Sequence, residues 1–156
     1  MPLFSRAVFG VMQFAARKGL AESRIGESMK ERARRTGIHG ETYAYWYLRR
    51  HGYVFVARNY RVPEDKGEID LVGYDGSVLA FVEVKTRIGT EERSVQPEFA
   101  VTSQKRQHIE RVAKRFLRER RLLESPWRFD LVAIESREGR PPVVRLHKNA
   151  FAAGSQ

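Results

Sequence analysis

The chain has 156 residues, with 29 Lys and Arg against 19 Asp and Glu, and no cysteine. That length supports one ordinary core without covalent staples, and the missing thiols exclude cysteine nucleophiles, cysteine-based zinc sites and disulfide scaffolds. A formal net charge of +10 favours acidic partners, nucleic acid first and an anionic membrane second; no stretch approaches the roughly 20 apolar residues that cross a bilayer, and a cytoplasmic protein is the expectation.

Residues 1–35 hold eight Lys and Arg against three Glu, half of the excess charge. Within them Phe4, Ala7, Val8, Val11, Met12 and Phe14 recur near helical spacing, ahead of a charged stretch broken by glycine and serine. The segment reads as a basic N-terminal extension, partly helical or disordered. It is either an arm for a membrane surface or nucleic acid, or a loosely held appendage. Its apolar run is interrupted by Gln13 and preceded only by Arg6, a poor core for a secretion signal.

The compact domain is expected over 36–148, with 149–156 as a tail. Its first helix contains "HGETYAYWYLRRHGY", where Glu41, Ala44, Tyr45 and Leu48 share a stripe and Gly52 suits a left-handed helix end. The aromatics Tyr43, Tyr45, Trp46 and Tyr47 could stack bases, but four in a five-residue helical span are expected to supply the core. A strand over 53–59, a polar loop, and strands over 68–74 and 77–87 follow, the last two joined at Asp75-Gly76. After a loop over 88–97 comes a helix from Thr102 to about Leu123, capped by Thr102 or Ser103. "WRFDLVAIES" is a fourth strand and "PVVRLH" a fifth. The pattern predicts an α/β fold, a mixed central sheet flanked by helices.

Strand alternation puts Phe81, Glu83 and Lys85 on one face, and Glu68 and Asp70 on one face of the preceding strand. The hairpin makes the two strands antiparallel neighbours, so Asp70 can approach Glu83 across the ladder. Two close carboxylates repel unless a cation neutralises them. Oxygen donors with room for water and phosphate suit Mg2+ or Mn2+, and the four scattered histidines give no zinc spacing. A metal so held, with a lysine nearby, can hydrolyse a phosphodiester. A plainer reading is a salt bridge between Lys85 and either acid on an open sheet face.

In order, "HGETYAYWYLRRHGY", "RNYR", "GEIDLV", "FVEVKTR" and "RFDLVAI" resemble the YraN-like family of the PD-(D/E)XK nuclease superfamily, small bacterial proteins similar to archaeal Holliday junction resolvases. The resemblance covers about 37–148 and implies a restriction-endonuclease-like core. It implies Asp70 and Glu83 as metal ligands, Glu41 as a third, and Lys85 as the catalytic lysine, with Mg2+ or Mn2+ as cofactor. Glu41 is otherwise a first-turn acid favoured by the helix dipole. Gly67 and Glu68 stand where the superfamily often has Pro-Asp, and Glu68 reads as a solvated strand end.

The implied activity is hydrolysis of DNA, branched DNA included; a catalytically inactive nucleic-acid-binding or scaffold protein with a nuclease fold is the alternative. DNA is the expected partner, and a homodimer is compatible with the reading. Arg58 and Arg61 either contact phosphate or pair with the acids of "PEDKGE"; Arg87 and Arg106 join them as candidate phosphate contacts. Lys105, on the helix position that the superfamily keeps near its metal, is singled out among the cations of that helix. Most of the others suit a solvated amphipathic face equally well.

Overall fold

A computed structural model of the chain describes residues 2–19, 24–89, 101–137 and 139–151. Helices α1 (Pro2–Gly19) and α2 (Met29–Arg50) precede strands β1 (Val54–Arg61), β2 (Glu68–Asp75) and β3 (Val78–Ile88). Helix α3 (Ser103–Glu119) then leads to β4 (Trp127–Ser136) and β5 (Val143–Phe151). The strands form one sheet in the order β1-β2-β3-β4-β5. β1, β2 and β3 pair antiparallel. β4 runs parallel to β3: Leu79 N–H donates to Pro126 O at 2.9 Å near one end, and Gly89 N–H to Ser136 O at 2.9 Å near the other. A parallel neighbour needs a crossover, which the α3 segment supplies. β5 returns antiparallel, with Asn149 N–H donating to Asp130 and Arg145 facing Glu135. This is the expected mixed α/β architecture, consistent with a restriction-endonuclease-like fold.

The chain packs as two compact units. One comprises Met1–His51, Val84–Glu98 and Val132–Leu146, the other Gly52–Glu83, Phe99–Leu131 and His147–Gln156. In the second unit Phe81 lies at the centre of an aromatic cluster, its ring 5.7 Å from Phe116, 5.8 Å from Trp127 and 5.9 Å from Phe129. Ile109, Val112, Ala113, Phe116 and Leu117 are the buried stripe of α3, at the predicted spacing.

In the first unit α2 buries Gly40, Tyr43, Ala44 and Leu48. α2 approaches β3 so closely that a Cβ on Gly40 would collide with Thr86 Oγ1 and stand 2.8 Å from Thr86 Cβ. Gly40→Ala would gain about 1 kcal/mol of helix propensity. It would also force this contact apart, at about 1–3 kcal/mol. We expect the clash to win, seen as a lower denaturant midpoint; a raised midpoint would show that the contact yields freely.

Several boundaries differ from expectation. α2 starts at Met29, so the domain limit expected at 36 falls inside a helix. Ser28 caps it, its Oγ accepting from Glu31 N–H at 3.2 Å while the Glu31 carboxylate accepts from Ser28 N–H at 2.8 Å. The tail expected from 149 begins within β5. The hairpin loop is Gly76-Ser77, not Asp75-Gly76: Asp75 pairs with Val78 and stays in the ladder, held by Arg128 and Lys148, each at 2.6 Å.

Gly52 takes the left-handed conformation expected, with φ 94°, and Thr102 is the cap of α3. That helix ends at Glu119, short of Leu123. Arg121 turns left-handed with φ 57°, Leu122 N–H donates to Leu117 O and Arg121 N–H to Arg118 O, a Schellman closure with arginine in the usual glycine position. Of the four aromatics assigned to the core, only Tyr43 is buried. Tyr45, Trp46 and Tyr47 are half-buried, and Tyr45 packs edge-on against Trp46 at 5.2 Å. Most of the loop expected over 88–97 lies outside the described residues.

Candidate functional site

The β2–β3 register sets the acids. Val72 faces Phe81 and Leu71 faces Val82, so the next residues outward are Asp70 and Glu83. Directly opposed residues of an antiparallel pair stand about 4.5–5.5 Å apart at Cβ and share a face. Asp70 is half-buried, whereas Glu83 is only 4% exposed. A carboxylate so buried requires a compensating cation, and the Lys105 ammonium pairs with Glu83 Oε1. Lys105 is placed by the N-cap of α3: Thr102 Oγ1 accepts from Lys105 N–H at 3.2 Å. The first turn of α3 has no acid of its own, so its positive dipole end is left to anions from elsewhere.

Lys85 follows Glu83 by two positions on β3, and by alternation shares its face. It is half-buried. Lys105, a cation that pairs with Glu83, is a residue singled out from sequence for phosphate contact. Glu41, also half-buried, sits on α2 beside Gly40, on the stripe that buries Ala44 and Leu48. Lys85 and Glu41 belong to the first unit, and Asp70, Glu83 and Lys105 to the second. Among the described residues no group of three or more His, Cys, Asp or Glu side chains is gathered to hold a metal ion. The pair Asp70 and Glu83 still offers the all-oxygen donor chemistry that Mg2+ or Mn2+ accepts, and Lys105 already supplies a positive charge at Glu83.

The remaining candidate cations divide by their contacts. Arg61 pairs with Glu68, which also accepts from Asn59 Nδ2 at 3.0 Å. Glu68 is therefore engaged by its neighbours at the strand end, and Arg61 follows the ion-pair alternative. Arg106 donates from Nε to Val101 O at 3.0 Å and lays its guanidinium 5.4 Å from the Phe151 ring centre. Arg58 and Arg87 are exposed on β1 and β3. Along α3, Lys114 pairs with Glu110, Arg115 with Glu119, and Arg111 with Asp65, as on a solvated charged face.

Two acidic centres were not anticipated. Asp130, fully buried, accepts from Tyr53 Oη at 3.0 Å, Arg128 Nε at 2.8 Å and Asn149 N–H at 3.0 Å. Burial, then the neighbouring Asp130, pushes the Tyr53 phenol up. Lys148 and then Arg128 hold Asp75 below the usual carboxylate range. In the other unit, buried Glu135 accepts from Arg137 Nε at 2.8 Å. "RFD" was read only as part of a family pattern, because its partners Tyr53, Asp75 and Lys148 are remote in sequence.

Asp65, half-buried, accepts from Arg111 Nε at 2.9 Å and lies 3.1 Å from His108 Nδ1; these contacts, Arg111 first, lower its pKa to about 2. Its folded pKa lies below the unfolded value near 4, so its stabilisation is present above that value and lost as pH falls toward 2. Asp65→Asn should flatten the acid limb of the stability–pH curve between those limits. An unchanged limb would dissociate Asp65 from acid unfolding.

A mixed five-stranded sheet flanked by helices is consistent with a restriction-endonuclease-like fold. The chain belongs to the uncharacterised protein family UPF0102, whose model matches residues 40–134. It is 43% identical over 117 residues to a UPF0102 protein of Koribacter versatilis, covering 75% of this chain and 79% of the relative. To one of Symbiobacterium thermophilum it is 42% identical over 121 residues, 78% of this chain and 99% of the relative. To one of Lachnoclostridium phytofermentans the identity is 45% over 118 residues, 75% and 92% respectively. The family match takes in Glu41, Asp70, Glu83, Lys85 and Lys105, and leaves out α1.

Proposed function

We propose that this protein is a Mg2+- or Mn2+-dependent endonuclease of the PD-(D/E)XK nuclease superfamily that hydrolyses DNA phosphodiester bonds, branched DNA among its substrates. The observation that carries the reading is the β2–β3 register, whose last recorded pair, Leu71 with Val82, leaves Asp70 and Glu83 as the next residue on each strand. Two carboxylates brought close repel unless a cation is held with them, a part that a metal ion would share with Lys105. Asp70 and Glu83 would hold the ion, which when bound would polarise a phosphoryl oxygen and acidify a water; Glu41 is a third ligand only by the resemblance to the nuclease family. Lys85 orients the attacking water and offsets charge developing on the phosphate. Arg58, Arg87 and Arg106 meet the phosphate backbone, together with Lys105 once it leaves Glu83.

A second reading is a nucleic-acid-binding protein without turnover. The Lys105–Glu83 pair favours it, because a buried carboxylate already neutralised by lysine needs no ion. Incubation with linear, flapped and four-way DNA, with Mn2+ and with chelator, separates the two. Ion-dependent cutting supports the nuclease; DNA that is bound yet left intact in every form and ion condition supports the binder.

A further inference from the structure

Helix α1 has two apolar sides. On one, Phe9 is 4% exposed, its ring 5.3 Å from Tyr43 and 6.0 Å from Tyr47, and the Arg50 guanidinium lies 5.2 Å from its centre. That side is fastened to α2. At 3.6 residues per turn, Phe4, Val11 and Phe14 all fall within about 40° of the direction opposite Phe9. They are 67, 68 and 64% exposed. A helix packed along one side ordinarily turns a polar face to water; this one turns out two phenylalanines and a valine.

Charge indicates what covers them. The first 21 residues contain Arg6, Arg17 and Lys18 and no acid. A second copy would bring the same basic helix and a net charge of +10, which opposes pairing through this face. A polynucleotide would satisfy the cations but offers no apolar phase for Val11. A bilayer with anionic headgroups satisfies both. Among the described residues no helix is long and apolar enough to cross a membrane, so α1 would lie in the interface rather than span it.

We infer that α1 is an interfacial helix that lays Phe4, Val11 and Phe14 into the headgroup–acyl boundary of an anionic bilayer while Phe9 keeps it attached to α2. None of Phe4, Val11 and Phe14 is a candidate nuclease residue, so the inference stands whether or not the chain cuts DNA.

Flotation of the full chain with phosphatidylcholine vesicles, with and without phosphatidylglycerol, tests this. The protein should float with the phosphatidylglycerol vesicles and not with phosphatidylcholine alone. Phe4→Ser/Val11→Ser/Phe14→Ser should lower the partition coefficient by on the order of 100-fold, from the apolar area kept in water. Because the chain lacks cysteine, Val11→Cys can carry a single polarity-sensitive dye, which should brighten on phosphatidylglycerol vesicles even if the triple variant folds poorly. A dye that stays dark, or flotation unaffected by the serines, overturns the proposal. So does a triple variant that loses DNA affinity while wild type ignores vesicles, which would make the helix a nucleic-acid arm. A wild-type dimer split by the serines, again without vesicle binding, would make it a self-association face.

Discussion

Glu83→Gln is expected to abolish DNA cleavage, weaken Mn2+ binding and leave DNA affinity equal or tighter, since it preserves size and removes a carboxylate that repels phosphate. The fold should survive, because the partner it deprives, Lys105, is 40% exposed in its side chain and can return to water. Lys85→Ala should also stop cleavage, by another route. The ion still binds, and the single-turnover rate falls by about two to three orders of magnitude, as when an electrostatic stabiliser is removed from a prepared site. Calorimetric titration with Mn2+ and single-turnover cleavage of labelled DNA distinguish the two. If Lys85 and Glu83 serve only as ion-pair partners, both variants lose stability, more for the buried Glu83, and neither alters activity.

The largest loss of stability should come from Asp130→Ala. Its carboxylate is fully buried and accepts from Tyr53, Arg128 and the Asn149 backbone. Deleting it strands Arg128, 17% exposed in its side chain, with only Asp75 as counter-charge. Breaking a buried pair by removing one partner costs about 3–5 kcal/mol. Tyr53→Phe, which removes a single donor, should cost only about 1 kcal/mol. Denaturant unfolding of both variants checks this ranking, and equal midpoints would mean that the network contributes no more than its individual hydrogen bonds.

How legible such features were depends on how far apart their causes lie. The β2–β3 hairpin was readable because glycine, the acids and alternating apolar residues sit within 21 residues of "GEIDLVGYDGSVLAFVEVKTR". Its loop slipped by one residue because Arg128 and Lys148, far along the chain, keep Asp75 in the ladder. The start of α2 was hidden by a basic run without apolar periodicity, although Ser28 and Glu31 stand at capping-box spacing. The end of α3 had no local sign: arginine, not glycine, takes the left-handed turn at position 121. For the candidate site, alternation and the hairpin sufficed to set Asp70 and Glu83 just beyond the pair Leu71 and Val82. They could not reveal that Lys105, 22 residues beyond Glu83, reaches back to it. Nor could they reveal that Phe9 packs on Tyr43, because nothing local marks which side of an apolar helix finds a partner.

The ammonium of Lys105 against Glu83 also bears on how the protein is made. Small domains whose anionic ligands lack an internal counter-charge wait for a metal before they fold, and chelators undo them. Here a lysine supplied by the chain's own helix neutralises the buried acid in the folded protein. Folding is therefore expected to need no divalent ion at Glu83, and a denaturant midpoint that drops in chelator would contradict this.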